Sequence, residues 1–372
     1  MTEERSPRHY GFLNGARVVD CSASLMGAYA TQLVAGYGAE VTSLRIDELL
    51  RKGASPFADT HLRERPYYAP YLARHKAEVS VDLDSEDAVE QVRALVAAAD
   101  VVVVDHQRDS GSRAVGIVED AAADADTIVV RLSPYGDGDR NDRRASDLTM
   151  YHGGGPGFAT PGLVADPATM APLRPRSHQA HMVSGLTASI SIVSALMQKR
   201  RDVGRVGVDF SAYEAMANLF RQNLATYAYH AGGVRRELAK GRGAGGTADQ
   251  RNLPCQDGHV NLSYASAKHW EALRAMLEEP EWMNDELFAT PALRYRNWAA
   301  IYERLSEWLS TRAKSEVFIL AQAFGIPCAP LNTASEILSE PVLEARDFWD
   351  RSGGRCFPAG PALITRFAEE KG

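Results

Sequence analysis

Three short aliphatic runs stand out from the mixed polar background of the first third of the chain. They are Ala16-Arg17-Val18-Val19-Asp20, Val101-Val102-Val103-Val104 and Thr127-Ile128-Val129-Val130-Arg131. None alternates apolar with polar, which is the pattern of strands covered on both faces in a parallel sheet. Between them, Tyr29 to Tyr37 and Ser85 to Ala99 read as helices. The second has Asp84 or Ser85 as its N-cap and Glu86-Asp87 in its first turn, where carboxylates favour the helix dipole. Alternating strand and helix predict a doubly wound, Rossmann-like α/β domain with ligands bound beyond the carboxyl ends of its strands. Those ends fall at residues 21–28, 105–113 and 132–140.

Further along, Asp137 to Arg176 is rich in Gly, Pro, Asp and Arg and reads as surface loops. A helix is expected from Gly185 to Arg201. Leu186, Ile190, Val193 and Met197 recur on one face, and Ala188, Ser191 and Ala195 on another that permits close backbone packing. A helix over Ser211 to Tyr229 leads into the glycine-rich stretch Gly232–Gly246, the expected hinge. Beyond it, Leu262 to Glu278 and Trp298 to Thr311 read as amphipathic helices of a smaller α+β domain. The division expected is 1–225 for the large domain, with 335–372 returning to it, and 226–334 for the small one.

A length of 372 residues is ample for two cores. The net charge of -7 argues against a nucleic-acid or anionic-membrane partner. No apolar run is seen that approaches the roughly 20 residues a membrane helix needs. The opening MTEERSPRHYGF lacks the apolar core of a signal peptide. Cys21, Cys255, Cys328 and Cys356 follow no metal-ligand or disulfide spacing, so no metal site is expected, and a cytoplasmic location is.

Candidate chemistry sharpens the picture. Gly15-Ala16-Arg17-Val18-Val19-Asp20 is followed by Gly27, by Ala30-Thr31-Gln32-Leu33 and by Gly38-Ala39-Glu40-Val41. Arg74-His75-Lys76 precedes Val79-Ser80-Val81-Asp82-Leu83. Leu132-Ser133-Pro134-Tyr135-Gly136 comes before Ser146-Asp147, and Ser184-Gly185-Leu186-Thr187-Ala188 before Val208-Asp209-Phe210-Ser211. In this order and spacing, together with Gly325-Ile326-Pro327 and Glu340-Pro341 near the end, the sequence resembles the family III CoA transferases, the CaiB–BaiF family.

That resemblance implies an interlocked dimer of two-domain subunits acting on acyl-CoA and a small carboxylic acid, with coenzyme A as substrate and no metal. Carried over by position, Lys76, Arg74 and Arg113 would hold the CoA phosphates and His106 would lie where an aromatic faces the adenine. Charge-assisted bonds from Lys and Arg suit that task, and solvated surface charge is the alternative reading of each. The glycine-rich loop with Gly243, Gly245 and Gly246 would close over the reacting carbonyl, or else serve as a linker. Tyr151-His152-Gly153-Gly154-Gly155 offers a second such loop, and Arg140, Arg143 and Arg144 form a basic cluster in a loop.

One departure bears on mechanism. Four residues before Gly185 the family carries an aspartate nucleophile, and here His181 stands in its place. The α-methylacyl-CoA racemases of the same family pair a histidine and an aspartate that align with Ser146 and Asp147. Three readings follow for a site with His181 and Asp147 as its catalytic candidates. His181 does altered chemistry such as proton transfer; the chain is a silent CoA-binding subunit paired with a homologous active one, as a heteromer in place of a homodimer; or another carboxylate takes over.

Overall fold

The computed structural model describes residues 11–51, 55–106, 112–138, 143–160, 163–164, 169, 171–173, 175–201, 206–230, 237–238, 251–264, 266–351 and 354–358. The chain forms two compact units. The first comprises 1–157, 174–222 and 345–372, the second 158–173 and 223–344.

The first unit is built on six parallel strands: β1 Arg17–Asp20, β2 Glu40–Ile46, β3 Lys76–Val81, β4 Val101–Asp105, β5 Ile128–Ser133 and β6 Val208–Ser211. Their order across the sheet is β3-β2-β1-β4-β5-β6, so the winding reverses between β1 and β4, where Val18 lies beside Val101 and Asp20 beside Val103. The helices named below are α1 Leu25–Gly36, α2 Glu86–Ala97, α3 Arg113–Asp124, α4 Asp147–Gly153, α5 Gln179–Arg200, α6 Ala212–Leu219 and α7 Arg221–His230.

The unbroken valines of β4 explain its place at the centre. Val101 and Val103 join Val18, Val130 and Leu132 in one core with Ala30 and Val34 of α1 and Ala188 and Ile192 of α5. Val102 and Val104 join Val19 and Val129 in a second core with Val92 and Val96 of α2 and Ala114 and Val118 of α3. Both faces are thus covered, as the pattern requires. Ser24, Ser85 and Ser112 cap α1, α2 and α3 by accepting the amides of Gly27, Ala88 and Val115, each cap worth about 1 kcal/mol.

Helix α5 begins six residues earlier than expected, after Ser177 and His178, both left-handed with φ of 69° and 51°. It is long and apolar enough to cross a membrane by length and composition, which corrects the reading that nothing in the sequence is. Small residues dilute its aliphatic positions, so that no continuous run catches the eye. Half of the stretch is nonetheless buried inside the unit. The buried face is the small one, with Ser184, Gly185, Ala188 and Ala195, while Leu186, Ile190 and Met197 point outward. A Cβ on Gly185 would come within 2.8 Å of the Met26 carbonyl, so glycine is what lets α5 pass close over α1. The single helix expected over 211–229 is two, α6 and α7, separated at Phe220.

The second unit holds a three-stranded antiparallel sheet of β7 Arg251–Cys255, β8 Gly258–Leu262 and β9 Cys328–Pro330, with β8 in the middle. Helices α8 Ala267–Met276, α9 Trp298–Leu309 and α10 Lys314–Ala323 pack Trp270, Leu273, Ile301, Leu305 and Val317 with Leu253 and Val260 of that sheet. This is an α+β unit; the helix expected from Leu262 to Glu278 is shorter, since Leu262 ends β8 and α8 starts at Ala267. Most of the glycine-rich stretch 232–246, including Gly243, Gly245 and Gly246, lies outside the described residues.

Candidate active site

At the reversal of winding, two buried carboxylates organise the strand ends. Asp105 closes β4, and its Oδ2 accepts the amides of Ala23 and Ser24 at 3.0 and 2.9 Å and the Ser55 hydroxyl at 2.9 Å. Its Oδ1 accepts the Ser24 hydroxyl at 2.8 Å. Burial pushes this carboxyl above its ordinary pKa, against the pull of those hydrogen bonds. The loop after β1 is thereby tied across the switch point to β4.

Asp20, at the end of β1, is the anion of a second cluster. It accepts the Ser22 amide and hydroxyl, the Thr31 hydroxyl at 2.8 Å, Lys76 Nζ at 3.2 Å and Arg63 at 3.4 Å. Burial would raise its pKa, but the Lys76 and Arg63 charges and the two hydroxyls outweigh it and hold the carboxyl well below the usual range.

Beside these lies His181, a catalytic candidate of the sequence. Segment 55–59 is steered by a parallel bridge in which the Ala58 amide donates to the Ala145 carbonyl at 2.7 Å and the Ala145 amide to Pro56 at 3.1 Å. Two residues past Ala145, the Asp147 amide opens α4 and donates to Asp59 Oδ2 at 2.9 Å. Ser146 caps this helix in a reciprocal box with Thr149. From α5, the His181 amide donates to Asp147 Oδ1 at 3.2 Å, and its ring Nε2 lies 2.9 Å from Asp59 Oδ1. Phe57 stands edge-on to the imidazole, 5.8 Å between centroids.

The electrostatics assign the proton. Burial raises the Asp59 pKa, but the hydrogen bond and charge of His181 and the Asp147 amide together bring it below its ordinary value. Asp59 is therefore an anion, and two acceptors would repel at 2.9 Å, so Nε2 carries the hydrogen and donates. The His181 side chain is wholly buried while that of Asp59 retains 15% of its exposure. His181 Nδ1 and Asp147 Oδ2 have no hydrogen-bond partner among the described residues.

The other residues singled out in the sequence disperse. Lys76 is buried, and its ammonium donates to Asp20, to the Ala28 carbonyl at 2.8 Å and to Thr31 at 2.7 Å, which uses its three donors within the protein. Arg74 pairs with Asp350, donates to the Pro358 carbonyl at 3.0 Å and lies over the Phe357 ring, clasping the antiparallel pair of Trp349–Asp350 with Phe357–Pro358. His106 follows β4 and faces Glu119, 3.8 Å from Nδ1, which Arg131 also binds. Arg113 opens α3, exposed, eight residues after the carboxyl end of β4. Arg143 and Arg144 are exposed; Arg140 lies outside the described residues.

The second glycine run has a different purpose from the one expected. A Cβ on Gly154 would overlap Met216, one on Gly155 the Phe220 ring, and one on Gly157 the His152 ring. Gly154 and Gly155 let the end of α4 press against Met216 of α6 and the following Phe220, and Gly157 makes room for the His152 ring of α4. The residue that sequence reasoning missed is Asp59. It lies 122 positions from His181 and carries no motif, and only the pairing of 55–59 with 143–147 makes them neighbours.

The match to known proteins is extensive. Residues 13–361 match the family described as CoA-transferase family III. A formyl-CoA:oxalate CoA-transferase of Rhodopseudomonas palustris is 24% identical over 358 residues, covering 90% of this chain and 82% of its own. A succinyl-CoA–D-citramalate CoA-transferase of Chloroflexus aurantiacus is 25% identical over 357 residues, covering 93% and 84%. The crystal structure of a CAIB/BAIF family protein from Brucella suis has a TM-score of 0.79 at 22% identity, covering 96% of this chain and 93% of that one. At that identity the likeness concerns the fold.

Proposed function

The chain belongs to CoA-transferase family III, and we propose that it moves CoA from an acyl-CoA donor to a small carboxylic acid as a cytoplasmic homodimer. The observation that carries this reading is an ionised carboxylate held beside the position of the family nucleophile, hydrogen-bonded to His181 and to the Asp147 amide. Exchanging one thioester for another asks for a carboxylate that can accept and release an acyl group, which is nucleophilic catalysis by Asp or Glu. The relatives named for formyl-CoA and oxalate and for succinyl-CoA and citramalate support a short anionic acceptor. Exposed Arg113, eight residues after the carboxyl end of β4, suits a CoA phosphate.

Proton transfer beside the thioester, as in the racemase reading, draws no support from this geometry. The imidazole is buried and its Nε2 is committed to Asp59. The dimer is supported by the apolar stripe of Leu186, Ile190 and Met197 on the outer side of α5, which a second copy would cover. A reducing compartment suits four free thiols.

A second reading, a CoA-binding subunit paired with a homologous active chain, draws on the complete burial of His181. The test offers the purified chain formyl-CoA with oxalate and succinyl-CoA with citramalate, and follows new acyl-CoA by liquid chromatography. Turnover by the chain alone supports transfer. Turnover only after adding a homologous chain with its own nucleophile supports the second reading.

A further inference from the structure

Resting on the transferase reading, we propose that Asp59 is the carboxylate that carries the acyl group and then CoA, with His181 as its positioning residue. The family keeps its nucleophile on the long helix at position 181. Here that helix offers an imidazole that substrate cannot touch, and the carboxylate comes instead from the loop before Thr60 to the same spot. Three facts support the exchange of roles. Asp59 keeps an opening to solvent that His181 lacks. Its two oxygens are fixed separately, Oδ1 by His181 Nε2 at 2.9 Å and Oδ2 by the Asp147 amide at 2.9 Å. Its partner Asp147 has one oxygen engaged by the His181 amide and is itself almost fully buried, which removes it as a rival.

The chemistry balances without an added reagent. An Asp59 oxygen attacks the thioester carbonyl; a C–O bond forms, the C–S bond breaks, and CoA departs as its thiolate. The thiolate then attacks the Asp59 carbonyl carbon, forming a C–S bond while the anhydride C–O bond breaks and the donor acid leaves as a carboxylate. The acceptor carboxylate attacks this aspartyl thioester, and the returning thiolate takes the acceptor's acyl carbon, freeing Asp59. One anion enters and one leaves at every stage. During thiolate attack, negative charge grows on an Asp59 oxygen, where His181 Nε2–H and the Asp147 amide already point.

Trapping on the native chain tests this. The purified protein is incubated with succinyl-CoA or formyl-CoA and hydroxylamine, digested, and its peptides are read by mass spectrometry. An aspartyl hydroxamate at Asp59 is expected, and Asp59→Asn should lower transfer by about a thousand-fold or more. His181→Gln should lower kcat with little change in KM, because it disturbs the carboxylate and not the bound CoA. A hydroxamate on another acid, none on Asp59 in a chain that transfers, or transfer surviving in Asp59→Asn would each overturn the assignment while leaving the transferase reading intact. Absence of transfer by the native chain with every acid pair would overturn both.

Discussion

Lys76 of the edge strand β3 reaches Asp20 two strands away in β1, Nζ to Oδ2 at 3.2 Å, with both side chains sealed from solvent. Arg63 adds a second cation to the same carboxylate and also donates to Ser43 at 2.8 Å and to the Ser22 carbonyl. A buried ion cluster of this kind gives little net stability when intact, since desolvation consumes most of the attraction, yet breaking it is costly. Its visible effect is geometric. The end of β1, the start of β3 and the 60–64 turn are held in one arrangement, and that turn follows Asp59 directly.

Lys76→Met should therefore act on the fold. Removing the ammonium leaves Asp20 short of a buried partner, and a loss of about 3–5 kcal/mol is expected in urea unfolding. CoA affinity per folded molecule, measured by calorimetry, should be unchanged. A variant as stable as the parent but weakened for CoA would return Lys76 to the role of phosphate ligand.

The same cluster gives a sign to the acid limb of stability. Asp20 in the folded chain holds its carboxyl well below the ordinary range, through Lys76 and Arg63 overcoming burial. As pH falls, the unfolded chain therefore takes up this proton first. The contribution is fully present above the ordinary carboxylate value of 3.8 and is lost as pH drops below it. Asp105, raised by burial, works in the opposite direction. Urea midpoints between pH 6 and pH 3, taken on the parent and on Lys76→Met, should show a steeper fall in the parent, by about 1 kcal/mol or more.

An aspartate at position 181 should be poorly tolerated. His181→Asp would set a second carboxylate against Asp59 in the space where a ring Nε2–H now lies 2.9 Å away. Two anions so close force one of them to keep its proton. Stability at pH 7 should drop by about 3 kcal/mol. The raised pKa means the folded chain binds the extra proton first, so stability should recover as pH falls toward 5. The double variant Asp59→Asn with His181→Asp removes the repulsion and should lose that recovery; denaturant titrations at pH 7 and 5 decide.

How far the sequence disclosed this arrangement depended on whether the signal was local. β4 was legible because a strand covered on both faces must be apolar throughout, and Val101 to Val104 are. β3 was harder, for it lies at the sheet edge with Ala77, Glu78 and Ser80 exposed, so no apolar run marks it. The start of α5 was missed because its cap is a left-handed histidine with no side-chain capping bond, which no capping rule anticipates. Lys76 resembled a phosphate ligand because sequence shows its charge and not its burial. Asp59 was invisible for the converse reason: nothing near it in the chain marks it, and its meaning comes from a bridge to residues 143–147.

Two glycines, one at the end of α4 and one inside α3, should respond oppositely to the same change. Gly154→Ala would drive a Cβ into Met216 and within 3.0 Å of the Met150 carbonyl, and overpacking of that kind costs about 1–3 kcal/mol. Gly116, in α3, has nothing within 4 Å of where a Cβ would stand. Gly116→Ala should stabilise the chain by about 0.5–1 kcal/mol through the lower entropy of its unfolded state. Thermal melts of the two variants at one protein concentration check both signs.

The outer stripe of α5 sets the last expectation. Leu186 and Ile190 are one helical turn apart and at least half exposed, and Met197 continues the row two turns on, also half exposed. The opposite face of the helix is fully engaged by α1 and the sheet, through residues as small as Ser184, Gly185 and Ala188, so α5 cannot roll to hide the stripe. Only a partner surface would remove it from water, at about 25 cal/mol for each Å² covered. Replacing Leu186 and Ile190 together by Lys would place charges where a second copy should pack, without touching the core of the subunit. Light scattering should then show a monomer where the parent is a dimer, with near-native far-ultraviolet dichroism. A double variant that remains dimeric would exclude this face from the interface.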